Sequence, residues 1–378
     1  VISLATTMPE FFVSVIAVSQ GSAGLGIGNA VGSIICNTGL ILALCLIAKP
    51  FQTEFSIFKS KSLIMFVSAI LLFFFCLNRN ISVFEAIILL LIFFYYLYSK
   101  AQTMIEIPES RTLAKQAADV LAGRTVTDVF NATYPHKFTW YTGDPAAYRN
   151  LLAGKKFLSA AGYGAFVDLL LEDKVHIALS DGVNMRYCPA GEGIPPKYQL
   201  LITFDDDSFL VFTVAMYGGI NAFRDTLDNP YYLGALSKPS PLGDGFDAAY
   251  FDRLVAGAKP NLSAKAFLAT EQRIPGLGNG VLQDIIFNAR IHPKRKMATF
   301  GERELDALFG AVKSTLAEMT AAGGRDTEKD LFGNRGGYKV VLSKNTYADP
   351  CPVCGGALVK EAYLGGAVYY CPHCQPLK

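Results

Sequence analysis

The 378-residue chain changes character at one place, and that change limits its architecture more than any other feature. Residues 1–103 hold only five basic residues (Lys49, Lys59, Lys61, Arg79, Lys100) and three acidic ones (Glu10, Glu54, Glu85). Four apolar runs fill the stretch, at about Val1–Ser19, Gly28–Ala48, Ser62–Leu77 and Ser82–Tyr98. Each approaches the ~20 residues with which a helix spans a bilayer. The third and fourth, "SLIMFVSAILLFFFCL" and "AIILLLIFFYYLY", carry no charge. From Met104 onward the chain has 29 basic and 29 acidic residues, with strand-like and helical patterns. The two textures call for a multidomain chain, an all-α transmembrane fragment followed by an α+β part. The chain opens on Val1 inside an apolar run without a basic flank. That is unlike a signal peptide and reads as a fragment that starts within a helix.

The first two runs are chemically richer than the others. Pro9 and Glu10 interrupt an apolar helix, and an acid at membrane depth is costly unless it binds something. Gly28 and Gly32, four apart, suit close helix packing. Thr6, Thr7, Glu10, Ser33 and Asn37 together offer oxygens for a hard cation, or equally for a polar helix–helix contact. The pattern "ATTMPE…GNAVGSIICN" resembles the first alpha repeat of the sodium/calcium exchanger superfamily, from Val1 to about Lys100. The resemblance implies that Thr6, Glu10, Ser33 and Asn37 are half of a midplane cation site whose other half comes from an inverted second repeat. That repeat is missing, so ion exchange by this segment alone is not expected. Three lysines in the loop Lys49–Lys61 place that loop in the cytoplasm, and with it everything after Lys100. The chain as written is then membrane-anchored, with lipid as a partner of residues 1–100. A product started at Met104 is cytoplasmic.

Cysteine usage points to a metal. Cys36, Cys45 and Cys76 lie in apolar runs and Cys188 stands alone, but "CPVCGGALVKEAYLGGAVYYCPHC" sets two C-x2-C pairs 16 residues apart. Cys351, Cys354, Cys371 and Cys374 suit a closed tetrahedral zinc site, structural rather than catalytic, on a hairpin of two short strands. Such usage also suggests a reducing compartment.

The rest of the C-terminal part reads as three domains: a β-rich lobe over 104–230, a helical lobe over 231–340 and a zinc hairpin over 341–378. "YQLLITFDDDSFLVFTVAMY" is a strand pair around an acidic turn. Helical periodicity runs from about Ser263 to Gly324, with Ser263 and Thr299 as candidate caps. The turn Gly276–Gly280 opens a helix and offers backbone N–H groups to a phosphate, Asn279 adds a side-chain donor, and His292, Lys294, Arg295 and Lys296 add positive charge. Neutral overall charge means that any nucleic-acid contact rests on such local patches.

In this order, "MIEIPESRTLAKQ", "GLGN…NARIHP" and the zinc hairpin resemble the formamidopyrimidine-DNA glycosylase/endonuclease VIII family, from Met104 to about Gln375. The implied fold is a β-sandwich lobe, a helix–two-turn–helix lobe and a zinc β-hairpin. Met104 then reads as the native start of a repair protein joined to an exchanger fragment. The implied activity is removal of oxidised bases from double-stranded DNA followed by strand cleavage, with the nucleotide extruded from the duplex and an amine forming a Schiff base. The resemblance implies no small-molecule cofactor. It assigns Glu106 the general acid/base role, Lys156 (or Lys155) a contact to the lesion's phosphate, Asn279 a phosphate contact, and Arg186 a place near the β lobe. Met216 and Tyr217 stand where the family fills the gap left by the flipped base. Three departures matter. Ile105 occupies the position of the family's proline nucleophile, "AMYGG" lacks the gap-filling arginine, and Gly366 replaces a phosphate-binding arginine. The alternatives are a glycosylase/lyase, a noncatalytic damage-binding relative, and, for the front fragment, an exchanger. An internal Met104 has an amide nitrogen, which is not nucleophilic. Amine chemistry therefore falls to a free Met104 terminus or to Lys156 or Lys155. The loop Lys329–Tyr338 holds no readable lesion code.

Overall fold

The computed structural model describes residues 12–35, residue 71 and residues 104–377 apart from 181 and 216. The chain divides into two units, Val1–Ile92 and Phe93–Lys378. In the first, residues 12–19 are helical and a second helix, α1, spans Ala23–Ile35. Gly21, in the left-handed region, turns the chain between them. The tight approach is at Gly26, where a Cβ would meet Val18 Cγ2 at 2.8 Å. At Gly28 and Gly32, the expected packing pair, an added Cβ would meet nothing within 4 Å among the described residues. Ser14 bridges the two helices, donating to Gly26 O (3.1 Å) and accepting from Asn29 Nδ2 (3.0 Å). Among the described residues no helix is long and apolar enough to cross a membrane. Most of the four expected spans, and Thr6, Glu10 and Asn37 of the expected half site, lie outside the described residues. Ser33 is half-buried on α1.

The second unit starts with helix α2, Ile107–Leu121. Its start is written locally. Glu106 is the N-cap, Pro108 sits in the first turn where no hydrogen bond is lost, and Glu109 closes a capping box onto the Glu106 N–H at 3.3 Å. Nine strands follow: β1 (Val126–Asn131), β2 (Thr139–Trp140), β3 (Phe157–Tyr163), β4 (Phe166–Leu171), β5 (Val175–Leu179), β6 (Val183–Cys188), β7 (Leu200–Phe204), β8 (Phe209–Val214) and β9 (Gly218–Arg224). A short helix α3, Tyr148–Leu152, lies between β2 and β3. The strands form two sheets, ordered β1-β7-β8-β6 and β2-β9-β5-β4-β3, antiparallel except for β2 beside β9. Their apolar faces and α2 close over one core containing Leu121, Leu152, Leu169, Ile202 and Phe212. The expected hairpin is β7–β8, turned by Asp207 in the left-handed region and tied by Ser208 Oγ to Asp206.

The helical part comprises α4 (Pro230–Ser237), α5 (Ala248–Ala256), α6 (Ala264–Ala269), α7 (Asn279–Asn288) and α8 (Glu302–Ala321) around a second core of Phe246, Phe251, Phe267, Ile285 and Leu316. Ser263 caps α6 as expected, accepting from Ala266 N at 3.2 Å. Thr299 does not cap α8. That N-cap is Gly301, whose N–H goes to Glu304, while Thr299 donates back to Lys296 O. Strands β10 (Val359–Tyr363) and β11 (Gly366–Tyr370) form the terminal hairpin. It is held to α7 by polar contacts. Gln283 Oε1 accepts from Tyr369 N (3.1 Å), and buried Asp284 accepts from Val341 N (2.9 Å) and Leu342 N (2.8 Å). Asp284→Ala should leave two backbone donors unmatched and cost about 1–3 kcal/mol. Urea unfolding measures the loss, and hydrogen exchange should rise first at Val341 and Leu342. Asp284→Asn should cost less.

Candidate functional site

The segment Met104–Glu106 leads extended into α2, and Ile105 and Ile107 on either side of Glu106 enter different cores. Ile105, 1% exposed, enters the β core, and Ile107, 2% exposed, enters the helical core. Between them Glu106 is buried, and its carboxylate accepts from Gly280 N (2.9 Å) and Val281 N (2.7 Å). Glu106 thus caps α7 from another element and supplies negative charge at the positive end of that helix. The glycines of "GLGNG" make this possible. A Cβ on Gly278 would strike the Glu106 carboxylate, and one on Gly280 would overlap the Arg325 guanidinium.

Arg325 completes a buried charge cluster. It pairs with Glu106 at 3.1 Å and Glu109 at 2.8 Å, and its Nε donates to Glu109 at 2.9 Å. The Met104 N–H donates to Glu328 at 2.9 Å. Burial raises the Glu106 pKa, against the opposing pull of Arg325. Burial also pushes Glu328 up to about 7, partly offset by Arg325. Desolvation works against the Arg325 cation, but Glu106, Glu109 and Glu328 outweigh it and hold it charged. Of these carboxylates, Glu328 is the one held near neutrality, and Glu106 is shifted in the same direction by its burial.

Above this cluster a cavity of about 210 Å³ opens, lined by Met104, Asn279, Arg325, Glu328, Lys344 and Tyr369 among others. That is below the ~300–1,000 Å³ of sites for drug-sized ligands and suits a single ring system.

The structure brings together Met104, Glu106 and Asn279 but not the other expected residues. Lys156 is exposed at the start of β3, its backbone bridged to Thr125, and Lys155 pairs with Asp173. At the far end of the seven-residue strand, roughly 20 Å away by strand rise, Gly162 packs on the first turn of α2 and Gly164 on Pro275. Neither lysine therefore lines the cavity. Arg186, on β6, donates to Glu192 at 2.5 Å. Tyr217 lies beside Trp140, ring centroids 6.0 Å apart, and Met216 lies outside the described residues. The basic run is consumed internally. Lys294 pairs with Glu361 of β10 (2.7 Å), buried Arg295 pairs with Glu304 (2.5 Å), and Lys296 donates to Asn261 O. Asn279 Nδ2 donates to Ala367 O at 3.2 Å, which anchors the hairpin beside the cavity. Sequence reasoning missed Glu109, Arg325, Glu328 and Lys344. The first was legible as the third residue after an N-cap; the others reach the site only through the fold.

The sulfur atoms of Cys351, Cys354, Cys371 and Cys374 lie within 4.8 Å of one another. Cys351 and Cys374 are 3.8 Å apart and Cys354 and Cys371 3.4 Å apart, close to the edge of a tetrahedron with metal–sulfur bonds of ~2.3 Å. The donor set fits zinc.

A β sandwich and a helical lobe joined at a buried charge cluster, with a four-cysteine hairpin packed on the helices, define the fold class of the formamidopyrimidine-DNA glycosylases. MutM (Fpg) of Thermus thermophilus superposes with a TM-score of 0.60 at 22% identity, over 72% of this chain and 99% of that one. Lactococcus lactis Fpg, in complex with DNA containing an abasic site, gives 0.63 at 20% identity, again over 72% and 99%. In sequence the chain is similar to the formamidopyrimidine-DNA glycosylases of Bacillus cereus (26% identical over 282 residues, 72% of this chain and 99% of that protein) and Geobacillus kaustophilus (27% over 282 residues, 72% and 100%). Residues 1–101 match the sodium/calcium exchanger protein family. Both resemblances read from the motifs therefore hold, each over its own part of the chain.

Two outcomes test the charge cluster. Arg325→Met should cost about 3–5 kcal/mol, because Glu106 and Glu109 stay buried without a counter-charge; adding Glu109→Gln should recover part of the loss in a double-mutant cycle. Glu328 has a raised folded pKa, so the native state binds the extra proton. Its contribution is complete below the unfolded value near 4.5 and is lost as pH rises through about 7. Thermal unfolding from pH 4.5 to 8 should show this loss, on the order of 2–3 kcal/mol, and Glu328→Gln should flatten it.

Proposed function

We propose that residues 104–378 act in DNA base-excision repair as a glycosylase/AP lyase-type protein, binding double-stranded DNA at oxidised or damaged bases. The observation that carries this reading is the cavity where Met104, Asn279, Arg325 and Glu328 converge over the Glu106-capped end of α7. A ring-sized cavity beside exchangeable acids fits a base turned out of the duplex. The similarity to glycosylases over their full length supports it. In this reading Asn279 contacts a phosphate through the Nδ2 hydrogen not given to Ala367 O, the four cysteines hold one structural zinc that keeps the hairpin on the DNA face, and no small-molecule cofactor takes part.

One observation favours a second reading. Ile105 is in the β core, and the Met104 nitrogen, inside this chain, is an amide bonded to Glu328. An amide nitrogen cannot attack the sugar, so a protein that depends on this position for its nucleophile binds damage without cutting it.

For residues 1–103 we propose membrane insertion, with residues from 104 on in the cytoplasm. The apolar runs and the exposed Phe12, Val15, Ile16, Val18 and Leu25 support lipid contact. With half of a cation site, this part is expected not to exchange ions.

The test is fluorescence anisotropy of the full chain in detergent with duplex DNA containing an abasic-site analogue. Binding should be at least tenfold tighter than to intact duplex. Elemental analysis should find one zinc per chain, and stripping it should abolish the preference while leaving most helix content, since metal and hairpin fold together. Equal affinity for damaged and intact duplex would overturn the reading.

A further inference from the structure

Most of the amines near the cavity and its surroundings are already engaged. Ile105 is buried, and the Met104 nitrogen is a backbone donor to Glu328. Lys155 pairs with Asp173, Lys294 pairs with Glu361, and Lys265 is buried with its Nζ on Tyr363 O at 2.6 Å. Lys156 lies at the other end of β3. Among the described residues, one lysine lines the cavity with Met104, Asn279 and Glu328, and it is Lys344. It is exposed and, among the described residues, forms no ion pair. Its backbone is held firmly. Leu342 N donates to buried Asp284, and Ser343 N donates to Thr346 Oγ1 at 2.9 Å. The amine is thus carried by an anchored turn between the cavity and the cysteine hairpin.

We propose that Lys344 is the amine that forms the Schiff base in this chain, taking the part that Ile105 cannot. The proposal rests on the damaged-DNA reading above. The substrate is the ring-opened aldehyde of an abasic site. Lys344 Nζ, having passed a proton to the Glu328 carboxylate, adds to C1′ and a C–N bond forms. The carbinolamine loses its oxygen as water, leaving a C=N bond. The Glu328 carboxylate, whose proton has left with that water, takes a proton from C2′; the C–H electrons form the C2′–C3′ double bond, and the C3′–O bond breaks with the 3′ phosphate as leaving group. Water hydrolyses the imine and restores the lysine. The sequence of steps needs no oxidant and no metal. Glu328 is suited to receive the proton, because burial makes it a stronger base than an ordinary carboxylate.

The test is borohydride trapping of the full chain in detergent on abasic-site duplex, with anisotropy binding measured in parallel. Wild type should bind and form a covalent adduct, and digestion should place the adduct on the peptide carrying Lys344. Lys344→Arg keeps a positive charge for the backbone, so it should bind within about threefold of wild type and lose at least 100-fold in trapping. Lys115→Gln, on the exposed face of α2, should trap normally. An adduct on another residue, or undiminished trapping by Lys344→Arg, would overturn the assignment while leaving the damaged-DNA reading standing. Binding without any trapping by wild type would also overturn it and favour the noncatalytic reading. Absence of preferential binding would remove the reading and the assignment together.

Discussion

The pairing of Arg325 with Glu106 and Glu109 is the constraint on which the second unit depends. Each partner comes from a different place: the residue before α2, the first turn of α2, and the loop after α8. The cluster sits where the β core and the helical core meet, with Ile105 in one and Ile107 in the other. Desolvating three ionised groups is expensive, and it is repaid only if every lone pair and proton finds a partner. Gly280 N, Val281 N and Glu106 N supply those partners, so the relative position of α2, α7 and the loop after α8 is tightly specified.

Helix α7 is the hub built on that cluster. Its N-terminus holds Glu106, its Gln283 holds β11, and its Asp284 holds the chain entering the cysteine hairpin. Glycine is required at this end because α7 and the seam approach too closely for any side chain at Gly278 or Gly280. The basic run after α7, which looks like a DNA-facing patch, instead fastens the helical part to β10 and to α8 through Lys294–Glu361 and Arg295–Glu304. Positive charge in a motif reports attraction to anions in general, and here the nearer anions are the protein's own carboxylates.

The two parts of the chain differ in what they leave exposed. From residue 104 the apolar residues alternate or recur at helical spacing and bury against one another. Residues 12–35 keep Phe12, Ile16, Val18 and Leu25 exposed, a surface that water disfavours. Among the described residues the small-residue contact that joins their helices lies at Gly26, against Val18 and Ser14, and not at Gly28 or Gly32.

By itself the sequence determined the elements whose signals are local. These are the cap Ser263, the β7–β8 turn, the hairpin between the cysteine pairs, and the four-thiol cluster. Each depends on residues close along the chain, where spacing dictates geometry. The family resemblance likewise rested on short motifs in order. Only the tertiary structure decided what those motifs face. It put Ile105 in a core, took Lys155 and Lys156 away from Met104, spent Lys294 and Arg295 on ion pairs, and brought Arg325, Glu328 and Lys344 to the cavity. The physical reason is distance along the chain. Met104 and Glu328 are 224 residues apart, and Glu109 and Arg325 are 216 apart. No periodicity or spacing rule reaches that far, so such contacts are fixed by the packing of two cores and by the cost of burying a charge without a partner.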